Sequence, residues 1–194
     1  MFIIKKLLRR FVFKYLKPQM VLGYHSKDNF LANTRISNIT DIVGNNNLTI
    51  GNNVFIGHYN FIDASGGITI GEGCQITNYI SILTHSSHIS IRLYGKHYIE
   101  NNGKHVGYIR GNVNIGKYTF IGPHSIIMPG TTIGKGSIIS AYSYIKAGNY
   151  PDFAILSGNP AQVIGTTTDM DKEYLKQNPE LNKYYNEWVN EQHE

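Results

Sequence analysis

Two histidines three residues apart, His85 and His88 in the stretch ILTHSSH, carry the sequence's most evident capacity for chemistry. Near pH 7 a neutral imidazole can take a proton from a hydroxyl or ligate zinc. Directly beyond His85, residues 86–112 lose the apolar rhythm found on either side of them. Asp63, in FIDASGG, follows an apolar position; a hydrogen bond to a substrate and a turn-forming carboxylate are both open to it. Asn78 and Tyr79 are weaker candidates, one face of the repeat away from His85. His88 reads either as a helper that orients His85 or a substrate, or as a solvated loop histidine. His58, His97, His105, His124 and His193 read as ordinary surface or interface residues. The single cysteine, Cys74, excludes an intramolecular disulfide and a Cys-rich metal site. Inside the coil that follows Ile70, it reads as a small buried hydrophobe rather than a nucleophile.

The elements that must position these groups follow from one period. Isoleucines stand at 115, 121, 127, 133, 139 and 145, each six residues after the last. A helix needs apolar residues every third or fourth position and a half-buried strand every second, so six fits neither. It fits a parallel β-helix, an all-β solenoid in which each hexad forms one flat side of a coil. The small residues that follow (Gly116, Gly122, Gly134 and Ser140) suit corners or close approach. The same register occurs earlier at Ile36 and Ile42, at Ile50, Ile56 and Ile62, and at Ile70, Ile76 and Ile82. Ile50 to Ile70 spans twenty residues, so one early turn carries two more than three hexads. Roughly five or six coils can be drawn, above the ~3 that a stack needs to bury its apolar positions. The solenoid is predicted over residues 36–165, with 86–112 extruded as a loop; long loops on repetitive scaffolds are commonly functional.

The net charge of +5 over 194 residues is uneven. Residues 1–17 hold Lys5, Lys6, Arg9, Arg10, Lys14 and Lys17 with no acid, leaving 12 bases against 13 acids elsewhere. The basic balance therefore belongs to one segment, and a general nucleic-acid surface is not expected. In that segment Ile4, Leu7, Leu8, Phe11, Val12 and Tyr15 share one helical face. Such a basic amphipathic helix can lie in a membrane interface or cap the end of the solenoid. Residues 18–35 read as an irregular lead-in. GNYPDFAILSGNPAQVIG reads as an extended tail leaving the prism, and 166–194 as a helical tail. There Asn178 caps and Pro179 opens a segment in which Leu181, Tyr185 and Trp188 share a face. Nothing is long and apolar enough to span a bilayer, and a cytoplasmic home is expected, peripheral on the inner membrane face if the first helix binds lipid.

ILTHSSH, FIGPHSIIMPGTTIG and the closing LSGNPAQVIG together resemble the hexapeptide-repeat acyltransferases with a left-handed parallel β-helix. The resemblance is greatest to sugar O-acetyltransferases of the maltose and galactoside type and to relatives in surface-polysaccharide biosynthesis. It implies transfer of an acetyl group from acetyl-CoA, a co-substrate, to a sugar hydroxyl, with no metal. It implies His85 as general base, because a hydroxyl is a poor nucleophile until its proton is removed. Asp63, Asn78, Tyr79 and His88 would contact the acceptor. Gly122 and Ala141 would offer main-chain contacts to the pantetheine arm, Pro160 would close over the far end, and Lys146 is the candidate for a phosphate. A homotrimer with sites between subunits is implied as well.

Other readings stay open at this stage. An antibiotic or xenobiotic O-acetyltransferase shares the prism and the base. A γ-class carbonic anhydrase-like zinc enzyme would use histidines on the same fold, and a non-catalytic β-helix would use none. Nucleotide-sugar N-acetyltransferases and serine acetyltransferases are set aside because an added N-terminal domain is expected of each.

Overall fold

A computed structural model of the chain describes residues 2–15, 17–27, 29–101 and 105–190. Each hexad becomes a strand of two or three residues followed by a turn, and the strands collect into three parallel faces. Face one aligns Ile36, Ile56, Ile76, Ile121 and Ile139 in register. Face two aligns Ile42, Ile62, Ile82, Ile127 and Ile145. Face three aligns Ile50, Ile70, Ile115 and Ile133, then Tyr150. Like therefore stacks on like at the ~4.8 Å strand spacing, and the three isoleucine columns meet as the core. All the hexad isoleucines are buried except Ile42, which is half-buried against the same cluster. Burial of each is worth about 1.5–3 kcal/mol, and it is available only because a neighbouring coil covers it. The result is a left-handed β-helix.

The small residues after the isoleucines serve the approach of one coil to the next. A Cβ on Gly116 would lie 2.4 Å from the backbone nitrogen of Lys135, and one on Gly122 would lie 2.6 Å from that of Ala141. The edge between faces one and two has a second device. Tyr59, Tyr79, His124 and Tyr142 occupy successive coils there, each at φ near +60°. Their rings stack in a ladder with centroids 5.0, 4.8 and 4.8 Å apart.

Departures from six gather at the edge between faces two and three. Ile42 to Ile50 and Ile62 to Ile70 are each eight residues apart, and Ile82 to Ile115 are thirty-three apart. The loop thus leaves the prism at the corner where the two preceding coils already bulge. It contains a helix, Ser90–Tyr94, and a 3-10 segment, Gly95–Asn101. Its base is closed by an antiparallel pair, His85 with Arg110 and Ser86 with Ile109.

Several expectations change. The lead-in is a hairpin: Met20–Ser26 pairs antiparallel with Asn29–Ser37, kinked between Leu22 and Tyr24, where Gly23 has φ of +85°. The supposed tail remains part of the prism, since Gly148–Tyr150 joins face three and Ala154–Gly158 joins face one before Ala161–Thr166 folds back. Two helices follow, Thr167–Gln177 and Asn182–Val189. The first, within the span read as a helical tail, is capped by Thr166, whose Oγ1 accepts from the Asp169 amide at 3.2 Å. Asn178 does not cap the second. Its side-chain amide donates to the Tyr174 carbonyl at 2.9 Å and so closes the helix before it. Trp188 packs on Tyr118 and Phe153, with ring centroids 4.7 and 5.8 Å away. The Lys135 ammonium donates to the Val189 carbonyl at 2.9 Å. His193 lies outside the described residues.

The amphipathic helix, Phe2–Tyr15, does not cap the solenoid. Ile4, Leu7, Leu8, Phe11, Val12 and Tyr15 are all 41–71% exposed, and the hairpin covers the first coil instead. Among the described residues no helix is long and apolar enough to cross a membrane.

Candidate active site

Asp63 ends the strand Phe61–Asp63, and the two extra residues of its coil begin there. They turn the chain so that the Ser65 amide donates to Asp63 Oδ1 at 3.1 Å. Thr84, fully buried in the next coil, donates its hydroxyl to the Asp63 carbonyl at 2.7 Å and accepts from the Gly66 amide at 2.8 Å. This knot fixes the two corners to each other. It also leaves His85, the next residue, with its Nδ1 atom 2.5 Å from Asp63 Oδ2. Ser65 Oγ lies 3.3 Å from the same nitrogen.

The electrostatics suit an imidazole held in one tautomer. Asp63 is 1% exposed. Burial pushes its carboxyl upward, but hydrogen bonds from Ser65, the adjacent His85 ring and the Thr84 amide outweigh it and hold the group below its usual value. An ionised carboxylate can only accept, so the proton sits on Nδ1 and the lone pair on Nε2. The His85 side chain is 41% exposed, which leaves Nε2 open to a substrate. Tyr108, just before the returning loop strand, stacks on the imidazole with centroids 5.7 Å apart and planes 8° apart. The Arg110 guanidinium donates to the Ser65 carbonyl at 2.7 Å and ties the loop to the bulge.

Other residues singled out in the sequence scatter. Asp63, expected at the acceptor, faces His85 instead, because its carboxylate is enclosed by the knot. His88 meets Ser86, whose Oγ lies 2.8 Å from its Nδ1. Asn78 accepts from the His58 amide at 2.7 Å, and Tyr79 belongs to the aromatic ladder. Both lie on the far edge of face two, seven and six residues from His85. Gly122, Ala141 and the Pro160 turn share that far edge, where the Gly158 amide donates to Ser143 Oγ at 3.3 Å. Gly122 is glycine for the sake of Ala141's backbone, which fills the space a side chain would take. Lys146 is exposed on the other edge, the one that carries His85. Reasoning from sequence missed Thr84, Ser65, Tyr108 and Arg110; only the Asp-x-Ser turn signal of DAS pointed to any of them.

A cavity of about 670 Å³ lies elsewhere, lined by Tyr118, Asp171, Tyr174, Tyr185 and Trp188 among others. None of the groups around His85 lines it. Among the described residues of one chain, no three His, Cys, Asp or Glu side chains converge as a metal site would require.

Residues 112–147 match the family described as bacterial transferase hexapeptide (six repeats), and 47–82 match the hexapeptide repeat of succinyl-transferase. Repeat and coil geometry agree: the chain carries hexapeptide repeats folded as a left-handed β-helix. No curated protein sequence matches it. Among solved structures it is similar to a maltose O-acetyltransferase from Clostridium difficile 630, at 26% identity and a TM-score of 0.56 over 66% of this chain and 64% of that one. It is also similar to a galactoside acetyltransferase in complex with coenzyme A, at 26% identity and a TM-score of 0.59 over 69% and 62%. The chain therefore spans less than two thirds of the length of either enzyme. A variant of AntD, an N-acyltransferase from Bacillus cereus in complex with dTDP-4-amino-4,6-dideoxyglucose and coenzyme A, shows 25% identity and a TM-score of 0.53 over 75% of this chain and 89% of that one.

Proposed function

We propose that the chain is an acetyl-CoA-dependent O-acetyltransferase acting on a sugar hydroxyl, in the assembly of a surface polysaccharide such as a capsule, O-antigen or exopolysaccharide. The observation that carries this reading is the Asp63–His85 pair at the root of the extruded loop, with Nε2 open. Nε2 takes the hydroxyl proton as the oxygen attacks the thioester carbonyl, and the imidazolium that forms is stabilised by Asp63. The C–S bond then breaks, and the imidazolium returns its proton to the departing thiolate. The likeness to maltose and galactoside acetyltransferases, one with coenzyme A bound, supports the donor and the acceptor class.

A homotrimer forms part of the same reading. One chain separates His85 from Gly122, Ala141 and Pro160 by the width of a face, so a neighbouring prism must bring the second edge to the first. Lys146, on the His85 edge, then serves the donor phosphates of a different site or none.

One observation favours a second reading, N-acylation of a nucleotide-linked amino sugar. The AntD chain in complex with such a sugar is covered by this one over 89% of its length. The expectation of an added N-terminal domain therefore does not set that chemistry aside. Incubation with labelled acetyl-CoA and a panel of hexosides, polysaccharide precursors and amino-sugar nucleotides separates the two. An ester product released by mild base supports the first reading, a base-stable amide the second. No transfer to any of them, with no coenzyme A binding, removes both.

A further inference from the structure

The helix Phe2–Tyr15 is about 21 Å long and has one continuous apolar arc, ordered around its axis as Leu7, Phe11, Ile4, Tyr15, Leu8 and Val12. Lys5 and Lys14 flank the arc, and the opposite side holds Arg9, Lys6 and Arg10 with Phe2, Ile3 and Phe13 placed among them. No apolar member of the arc is buried, although a helix of this kind gains most of its stability by covering that face. Internal contacts use little of it: Phe11 and Tyr15 stack with centroids 4.8 Å apart, and Arg9 and Lys14 sit over the rings of Phe13 and Tyr15.

We infer that this helix is a membrane-surface anchor, which lays its apolar arc into the headgroup region of a bilayer rich in anionic lipid. Two features select that occupant. The helix carries five cations and no acid, with Lys17 just beyond it, which suits an anionic surface. A nucleic acid would use the cations but leave six large apolar side chains in water, whereas a bilayer takes both faces together. The anchor is independent of the reaction assigned to His85. It joins the prism through the hairpin on the first coil, at the end opposite the C-terminal helices.

The test uses the full chain and sedimentation with phosphatidylcholine vesicles, with and without phosphatidylglycerol. The protein is expected to bind only the anionic vesicles and to be released by salt. A combined Lys6→Gln, Arg9→Gln and Arg10→Gln variant should bind about a hundredfold more weakly, at about fivefold for each charge near the surface. A combined Leu7→Ser, Leu8→Ser and Phe11→Ser variant should lose binding while keeping the wild-type melting temperature, because those side chains are more than half exposed. The inference is overturned if the wild type stays in the supernatant with anionic vesicles. It is equally overturned if the apolar variant binds as the wild type does, if that variant melts markedly lower, or if a duplex oligonucleotide competes the protein off the vesicles.

Discussion

Oδ2 of Asp63 lies 2.5 Å from Nδ1 of His85, and the two residues come from successive coils at one edge of the prism. In the register of face two, Ile62 lies beside Ile82, so His85 stands over Ser65 and reaches back to the carboxylate. That diagonal exists because the lower coil turns tightly at Ser65, through two residues that a regular hexad would not contain. The bulge and the loop thus have complementary effects, the one presenting the acid and the other leaving the histidine at a rim. Removing either would return the corner to the featureless geometry of the fourth coil.

Asp63→Asn tests this relationship with little change in volume. The amide can donate where the carboxylate only accepts, so His85 loses the partner that fixes its tautomer. Turnover should fall about 10²–10⁴-fold, while the Kd for coenzyme A is unchanged by calorimetry. The same variant reports on stability. The folded Asp63 carboxyl lies below its unfolded value of about 3.9, so its contribution is complete above that pH and is lost as pH falls through the folded value. Urea unfolding should show the wild type's advantage over Asp63→Asn at pH 7 shrinking steadily below about pH 4.

Gly122→Ala separates packing from coenzyme contact. Its Cβ would meet the Ala141 nitrogen at 2.6 Å and the Ile139 carbonyl at 2.8 Å, both of them backbone. The coils must part, at a cost of about 1–3 kcal/mol, and thermal unfolding without ligand should show it. A variant as stable as the wild type that has lost only coenzyme A affinity would show that the space at this glycine is needed by the ligand rather than by the next coil.

Cys74 should be inert in the folded protein. Its thiol is fully buried, donates to the Gly116 carbonyl at 3.1 Å, and is pushed up to about 12 by burial. Thiolate is the reactive form, so a thiol reagent at pH 8 should label the chain only after denaturant is added. Fast labelling under native conditions would mean that the third coil opens.

Much of this architecture was legible because hexads carry it redundantly. Ile115 through Ile145 announce three faces, and the twenty residues from Ile50 to Ile70 announce a bulge. Position along the chain also isolated His85, as the residue where the rhythm stops. What eluded the sequence were contacts made between coils rather than along them. Asp63 reads as a turn or an acceptor residue until the register sets His85 above Ser65. Thr84 looks like one more polar strand residue until its hydroxyl is seen to join both corners. Tyr108 and Arg110 sit in a loop with no period to place them. The helical tail was legible from residue 166, but the bounds of its first helix were not, because 166–177 has a weak apolar face and its cap at Thr166 went unread.

The most direct test of the central claim is single-turnover acetyl transfer by His85→Ala, measured beside coenzyme A binding. The variant should fold into the same prism, since Ser65 and Thr84 still hold Asp63, and should bind coenzyme A with wild-type affinity. Transfer to an acceptor that the wild type uses should be slower by about 10²–10⁴-fold. Transfer at the wild-type rate would show that the proton leaves by another route and that the imidazole on Asp63 is not the base.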